Sequence, residues 1–151
     1  APIICFTAEE AWQCWVQNPR DSIHLKEHPN IPDSWINMEL ADKWNEIRKI
    51  RSIVLSAIED SRNKELIKSS LQASPKISLS DNKIKLFENV SAEEIFITAK
   101  VFFEEKNVDK PEVSIDIARG NKCNRCWKIY DEVSLDEEIC KRCSDVIKNN
   151  N

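Results

Sequence analysis

Lys122-Cys123-Asn124-Arg125-Cys126-Trp127 is the stretch of sequence that decides the fold at the end of this chain, together with Cys140-Lys141-Arg142-Cys143. Thirteen residues separate the two Cys-x-x-Cys pairs. Each pair can hold two thiolates on one side of a tight turn, and two such turns can enclose one tetrahedral Zn²⁺ with Zn–S distances of about 2.3 Å. Four sulfur ligands leave no coordination position for water or substrate, so the spacing predicts a structural zinc site. The alternative is a set of disulfides or unligated thiols.

The other two cysteines, Cys5 and Cys14, have no partner at motif spacing and lie among apolar residues. We expect them to be small, buried hydrophobic residues in a protein of a reducing compartment. The sequence has no signal segment, no apolar run long enough to span a bilayer and no lipidation motif. It opens on Ala1-Pro2-Ile3-Ile4 without an initiating Met, which indicates a piece of a longer protein.

Composition restricts the classes of function. The 151 residues are 41% hydrophobic, which suits a globular core, and their formal net charge is −4. Such a chain does not attract polyanions as a whole, so nucleic-acid binding would require a local patch. The single glycine excludes the glycine-rich loops that bind phosphate in Rossmann and P-loop proteins. His24 and His28 lack partners at motif spacing, and we assign no residue a catalytic role.

The N-terminal half has the hydrophobic period of helices. Thr7 and Glu10 form a capping-box pattern that predicts a helix over residues 8–16. We interpret its two tryptophans as packing residues and not as a ligand cage. A polar connector with three prolines follows, and we expect its segment Ser22-Ile23-His24-Leu25 to be extended.

A longer helix is predicted from a cap near Asn37 to about Lys68. One arc of this helix is apolar and is expected to face the core; it contains Ile47, Ile50, Ile53, Val54, Ala57 and Ile58. A neighbouring arc is cationic, with Arg48, Arg51 and Arg62. This arc would either meet phosphate or be a solvated face with local pairs such as Glu59 with Arg62. We favour the solvated face, because surface ion pairs are common.

From Ser74 onward the apolar residues alternate. Residues 76–79 and 83–87, separated by Ser80-Asp81-Asn82, predict a β-hairpin. Ser91 and Glu94 predict the start of a short helix, residues 95–103 are expected to end as a strand, and residues 113–117 alternate again. The sequence therefore predicts an α+β fold: a helical segment, a small α/β module with an antiparallel sheet, and a zinc ribbon that Gly120 introduces.

A local positive patch surrounds the first cysteine pair. Between residues 119 and 128, the cations Arg119, Lys122, Arg125 and Lys128 accompany Trp127, with no carboxylate. Trp offers a large surface on which an unpaired base stacks, and Arg offers a planar fork for a base edge or a phosphate. RNA loops are recognised by this combination. The alternative is that Trp127 packs over the ribbon and Arg125 faces solvent, and composition alone does not decide between the two.

The pattern Lys-Cys-x-Arg-Cys-Trp followed by Cys-x-Arg-Cys closely resembles the C-terminal zinc finger of bacterial isoleucyl-tRNA synthetases. Upstream, residues 1–12 resemble the late part of that family's helical anticodon-binding domain, residues 21–25 its short connector, and residues 44–64 its long helix. Residues 68–73 resemble the family's Gly-Ser-Ser-Leu-Glu-Ala, with Lys68 in place of the glycine and Gln72 in place of the acid.

The resemblance implies a class I aminoacyl-tRNA synthetase that joins isoleucine to its tRNA through an isoleucyl-adenylate made from ATP. The family's ATP-handling motifs, His-Ile-Gly-His and Lys-Met-Ser-Lys-Ser, are absent from this sequence, as is its editing domain. The implied division is 1–73 for the end of the anticodon-binding domain, 74–118 for an α/β junction domain and 119–151 for the zinc finger. The implied partners are the anticodon loop of tRNA(Ile), contacted by Arg125 and Trp127, and the remaining domains of a monomeric, cytoplasmic parent with no membrane contact.

Two other interpretations of the sequence remain besides this family. DNA-repair glycosylases carry a related four-cysteine finger, but their catalytic N-terminus and β-sandwich do not match Ala1-Pro2 and the long helix. A stand-alone zinc module that binds a nucleic acid or a protein is the second interpretation.

Overall fold

The computed structural model describes residues 1–133 and 138–149. They fall into two compact units, Ala1–Asn37 and Met38–Asn151. The first unit contains helix α1 (Cys5–Val16) and 3-10 turns at Ile23–Leu25 and Asp33–Trp35. The second contains, in chain order, α2 (Met38–Asn63), a 3-10 turn (Ser70–Gln72), β1 (Ala73–Leu79), α3 (Asp81–Ile84), a 3-10 turn (Lys85–Phe87), α4 (Ala92–Phe96), β2 (Phe102–Glu105), β3 (Glu112–Ile117), β4 (Asn121–Lys122), β5 (Ile129–Tyr130) and α5 (Lys141–Asn149). Within the described ranges, no helix is long and apolar enough to cross a membrane.

Helix α1 begins earlier than the capping-box pattern predicts. Its N-cap is Ile4, which makes no side-chain capping bond, so Thr7 and Glu10 lie inside the helix and the predicted box is wrong. The two cysteines predicted to be buried, Cys5 and Cys14, are both exposed. The reason is that α1 has no buried residue in this unit, although the helix itself was predicted correctly.

A carboxylate on α1 shapes the connector that follows. Glu9 accepts hydrogen bonds from the Ser22 hydroxyl at 2.8 Å and from the Ile23 N–H at 3.0 Å. Hydrogen bonds from Gln13 and Ser22 hold the pKa of Glu9 below its ordinary value. These bonds fold the segment into a 3-10 turn, so the predicted extended conformation is wrong.

Helix α2 supplies the core of the second unit, largely through the predicted arc. Ile47, Ile50, Val54 and Ile58 are buried, whereas Ile53 is 38% exposed. The helix ends at Asn63 and not near Lys68. The N–H of Leu66 donates to the Ser61 carbonyl at 3.0 Å and that of Glu65 to the Arg62 carbonyl at 2.9 Å, with Glu65 at a φ of 58°. This is a Schellman ending, and the prediction missed it because Glu65 occupies the position that glycine usually marks.

The arginines of α2 have partners within the chain. Arg62 forms an ion pair with Glu59 at 2.8 Å, as the solvated-face interpretation predicted. Arg48 donates to the Asn45 side chain. Arg51 donates from Nε to the Ile95 carbonyl at 2.9 Å and thereby ties α4 to α2.

The sheet beneath α2 has the strand order β2-β1-β3. Central strand β1 pairs with β3 in antiparallel orientation, with Ile77 opposite Val113, in agreement with the predicted antiparallel sheet. It also pairs with β2 in parallel, with Ile77 opposite Phe103. Residues Ile77 and Leu79 of β1 are fully buried. The strand predictions for residues 113–117 and for the end of 95–103 are confirmed.

The predicted hairpin partner of β1 is helical instead. Residues 81–84 form α3 and residues 85–87 a 3-10 turn, so the hairpin prediction is wrong. The alternating pattern also places Ile84 and Phe87 three residues apart; Phe87 belongs to the buried core, and Ile84 is partly buried against it. An ion pair of 2.6 Å between Lys85 and Asp81, one helical turn apart, adds to the helical conformation.

We expect Phe96→Ala to destabilise the second unit by about 3–5 kcal/mol, because removal of a buried ring leaves a cavity in a packed core. Phe96 is 0% exposed and its ring centroid lies 5.6 Å from that of Phe87. Phe102→Ala is the matched control, since Phe102 is 55% exposed. Urea unfolding followed by circular dichroism measures both variants. Equal losses of stability in the two would contradict this description of the core.

Candidate metal centre and nucleic-acid interface

The ribbon begins at Gly120, whose backbone φ is 111°. A Cβ at this position would lie 2.2 Å from the Tyr130 carbonyl oxygen, so only glycine fits. Strand β4 then pairs antiparallel with β5, Asn121 opposite Tyr130 and Lys122 opposite Ile129. The loop between these two short strands carries the first Cys-x-x-Cys pair.

The four C-terminal cysteines converge. The sulfur atoms of Cys123, Cys126, Cys140 and Cys143 all lie within 4.8 Å of one another, and three of the four residues are buried. The Sγ atoms of Cys126 and Cys140 are 3.9 Å apart, which is too long for a disulfide near 2.05 Å. A tetrahedron with Zn–S distances of about 2.3 Å has S···S edges of about 3.8 Å. The sulfur cluster therefore fits a zinc ion, and all four cysteines are free of disulfides in this structure.

Backbone hydrogen bonds hold the two cysteine turns together. The Cys123 N–H donates to the Lys128 carbonyl and the Trp127 N–H to the Cys123 carbonyl, each at 2.9 Å. From the second turn, the Cys140 N–H donates to the Cys123 sulfur at 3.3 Å. A further bond of 2.8 Å joins the Asn124 N–H to the Glu138 carbonyl. The arrangement of the sulfurs thus depends on main-chain geometry as well as on the cysteines.

The thiols differ in acidity. Burial raises the pKa of Cys123, but backbone N–H groups, first those of Cys126 and Cys140, outweigh it and bring this pKa down to about 6. Burial raises the pKa of Cys140 to about 12 and also raises that of Cys126. Burial, and to a lesser extent the charge of Cys126, raises the pKa of Tyr130 to about 12. Without a cation, one sulfur of the cluster therefore ionises much more readily than Cys140.

Trp127 is held on the surface in an unusual backbone conformation. Its φ is 67° and its side chain is 60% exposed. A bulky residue in the left-handed region costs on the order of 1–3 kcal/mol and marks a position where function is to be sought. The Lys122 ammonium lies 5.3 Å from the centroid of the ring, a cation–π contact. The ring is therefore largely exposed and not packed over the ribbon, contrary to the alternative interpretation of this residue.

The predicted cations of the patch separate into two groups. Arg119, Lys122 and Arg125 are exposed. Lys128 is buried, and its ammonium lies 3.4 Å from the Glu94 carboxylate. Three cations are therefore accessible to a ligand, and of these Lys122 contacts the Trp127 ring, while Lys128 is paired with Glu94.

The residue that pairs with Lys128 is not indicated by any sequence motif. Glu94 of α4 also accepts a hydrogen bond of 2.9 Å from Arg142, and these two cations, Lys128 first, hold the pKa of Glu94 below its ordinary value. The Ser91 hydroxyl does cap α4, accepting from the Glu94 N–H as predicted. The Glu94 carboxylate, which the capping box would direct to the Ser91 backbone, instead reaches the ribbon. No local pattern signalled this long-range pairing.

Comparisons with known proteins agree with the geometry. A family described as the anticodon-binding domain of tRNA ligase matches residues 1–77, and one described as a zinc finger found in FPG and IleRS matches residues 120–146. The isoleucine–tRNA ligase of Zymomonas mobilis is 35% identical over 97% of this chain and 15% of its own length. That of Caldicellulosiruptor saccharolyticus is 38% identical over 98% of this chain and 17% of its length. The isoleucine–tRNA ligase of Natranaerobius thermophilus is 31% identical over 100% of this chain and 18% of its own length.

The chain thus corresponds to 15–18% of the length of these relatives, and the resemblance drawn from the cysteine motif and the helices is confirmed. The zinc-finger match falls on the ribbon, and the anticodon-binding match runs from α1 into β1. Because the latter match covers more than half of the sequence, this chain belongs to the anticodon-binding domain family of the tRNA ligases.

Proposed function

We propose that this chain is the part of an isoleucine–tRNA ligase that recognises the anticodon loop of tRNA(Ile). Relatives of that name align with it over nearly its whole length. The whole enzyme would attach isoleucine to its tRNA through an ATP-derived isoleucyl-adenylate, with ATP bound in a catalytic domain outside this sequence. We further propose that this enzyme is a cytoplasmic monomer.

We propose that the chain comprises three structural regions. Residues 1–73 would complete the helical anticodon-binding domain, residues 74–118 would form the junction domain, and residues 119–151 would form the zinc finger. The two family matches, at 1–77 and 120–146, support these boundaries. The compact first unit, Ala1–Asn37, is then a subdivision of the helical domain.

We propose that Cys123, Cys126, Cys140 and Cys143 bind one structural Zn²⁺. The sulfur separations suit this ion, and a complete set of thiolates leaves no position for catalysis. The ion would supply the charge that keeps all four sulfurs ionised together. It would also join the two halves of a ribbon whose strands are only two residues long.

The observation that carries the recognition proposal is the exposed Trp127 ring with its strained backbone. An unpaired base of the anticodon loop would stack on this ring, and the exposed Arg125 fork would bind a base edge. Arg119 and Lys122 would contact phosphates. The sequence predicts that Lys128 acts with these cations, but its burial beside Glu94 argues that it stabilises the protein and does not contact the RNA.

A stand-alone zinc module is the second candidate, and it is less well supported. Such a module would not require homology to tRNA ligases along the helices and the junction, yet the relatives align from one end of the chain to the other. Isoleucine-dependent pyrophosphate exchange by the full-length protein separates the two, since a binding module would not catalyse it.

We expect wild-type protein to contain one zinc ion and Cys140→Ser to lose it. Because the pKa of Cys140 is about 12, zinc must displace a proton there, so the apparent zinc affinity should fall as the pH is lowered. Below about pH 6 the fall should steepen, since Cys123 also becomes protonated. Elemental analysis and chelator competition between pH 5 and 8 measure these effects. Cys14→Ser, at an exposed cysteine outside the cluster, is the matched control.

We expect Trp127→Gly to weaken binding of tRNA(Ile) by about 1–3 kcal/mol, roughly 5–150-fold in Kd, while zinc is retained. Glycine removes the stacking surface and at the same time relieves the left-handed backbone, so lost binding is not explained by a damaged turn. Glu65→Gly is the control, because it relieves the same kind of backbone strain on an exposed residue outside the patch. Unchanged tRNA binding in Trp127→Gly would remove this residue from the interface.

We expect substitutions of the exposed cations to affect tRNA binding differently from Trp127→Gly. Lys122→Ala and Arg119→Ala should weaken the binding of all tRNAs to the same extent and reduce the salt dependence of binding, as expected of phosphate contacts. Arg125→Ala should in addition reduce the discrimination between tRNA(Ile) and a tRNA with another anticodon. Filter binding at several salt concentrations with both tRNAs provides the measurement. Lys110→Ala, a distant cation, is the control, and identical behaviour of all four variants would contradict these roles.

A further inference from the structure

Glu94 connects parts of the chain that are far apart in sequence. Its Oε1 atom accepts from the Arg142 guanidinium at 2.9 Å and lies 3.4 Å from the Lys128 ammonium. Lys128 and Arg142 are 34 and 48 residues further along the chain. One carboxylate on α4 therefore holds two cations of the zinc ribbon.

The two cations belong to the two different cysteine turns. Lys128 directly follows Trp127, and its carbonyl accepts the Cys123 N–H. Arg142 lies between Cys140 and Cys143. Through them, Glu94 contacts both halves of the ribbon at points next to the metal ligands and next to the exposed ring.

The Lys128 end of this contact is shielded from water. Its side chain is 11% exposed, so its charge needs a partner, whereas the Glu94 side chain that supplies the partner is 57% exposed. A second ion pair joins the same two parts of the protein, Lys100 with Asp131, but its side chains are 38% and 60% exposed. An exposed pair contributes little. The Glu94 link differs from this pair in two respects: its lysine is buried, and its carboxylate also binds a second cation, Arg142.

Helix α4 is itself fixed to the core. Ala92 and Phe96 on its inner side are buried, and Arg51 of α2 binds the Ile95 carbonyl. A continuous set of contacts therefore runs from α2 through α4 and Glu94 to Lys128 and the base of Trp127. Stacking and bidentate contacts require side chains held within about 10–20° of the productive geometry, and this path supplies such a constraint.

We propose that Glu94 is a positioning residue for anticodon recognition, which orients the zinc ribbon on the α/β junction so that Trp127 and Arg125 face the tRNA. This inference rests on the proposed function. Glu94 touches neither the metal ligands nor the RNA. It acts through Lys128 and Arg142, and its loss leaves the ribbon folded but free to reorient.

The experiment uses the full-length zinc-loaded protein and transcribed tRNA(Ile). Glu94→Gln keeps the shape and the Ser91 cap but removes the charge, and it should bind this tRNA about 3–10-fold more weakly with unchanged zinc content. The matched control is Asp131→Asn, which breaks the exposed pair and should stay within twofold of wild type. Tight binding by Glu94→Gln, within twofold of wild type, overturns the proposal.

A second variant separates orientation from folding. In Glu94→Gln with Lys128→Met, the buried ammonium that lost its partner is also removed, so the ribbon should hold zinc as wild type does. Its tRNA affinity should nevertheless stay low, because nothing replaces the link to α4. A double variant that regains wild-type affinity, or that fails to hold zinc, shows that Glu94 serves the stability of the ribbon alone and overturns the proposal.

Trp127→Gly, measured in parallel, separates this inference from the proposed function. If Trp127→Gly and Glu94→Gln both bind tRNA(Ile) as wild type does, the recognition site lies elsewhere and both proposals fail. If only Trp127→Gly is weakened, the recognition site stands and the positioning role of Glu94 is rejected.

Discussion

The convergence of four sulfur atoms within 4.8 Å is the constraint on which the C-terminal part of the molecule depends. Strands β4 and β5 are two residues long each, and the buried cluster around the sulfurs adds little beyond Val133 to the cysteines themselves. A segment of this size does not bury enough apolar surface to fold on its own, and a metal ion is the usual solution. The positions of Trp127 and Lys128 follow from the same constraint, because their backbone groups close the first cysteine turn.

This arrangement explains why a strained aromatic residue is tolerated at the surface. The first turn needs a left-handed residue after Cys126, and glycine would satisfy that need without strain. Tryptophan satisfies it at an energetic cost and leaves its ring exposed beside the Lys122 ammonium. A residue that costs local stability and stays 60% exposed is more readily explained by a ligand than by packing. The proposed recognition and the proposed metal binding would therefore be coupled through one backbone conformation.

Parts of this fold follow from local pattern, and other parts do not. The cysteine spacing predicted the convergence of the four sulfurs, and the 3.6-residue period predicted the buried side of α2, because both are short sequence patterns that repeat within one segment. The end of α2 was missed because Glu65 takes the left-handed position without being glycine. Residues 83–87 were assigned to a strand because five alternating residues are too few to distinguish a strand from a helical turn. Their contact with the core decided the conformation.

The capping pattern at Ser91 and Glu94 shows where such inference ends. Ser91 caps α4 as predicted, since its partner is three residues away. Glu94 had the same local option, but two cations of the ribbon compete for its carboxylate, and they add the attraction between two full charges to the hydrogen bond. Those cations are brought to Glu94 only by the complete tertiary fold. In helix α4, the Ser91 half of the capping box is formed, whereas the Glu94 carboxylate binds the ribbon instead. Helix α4 therefore links the α/β junction to the ribbon.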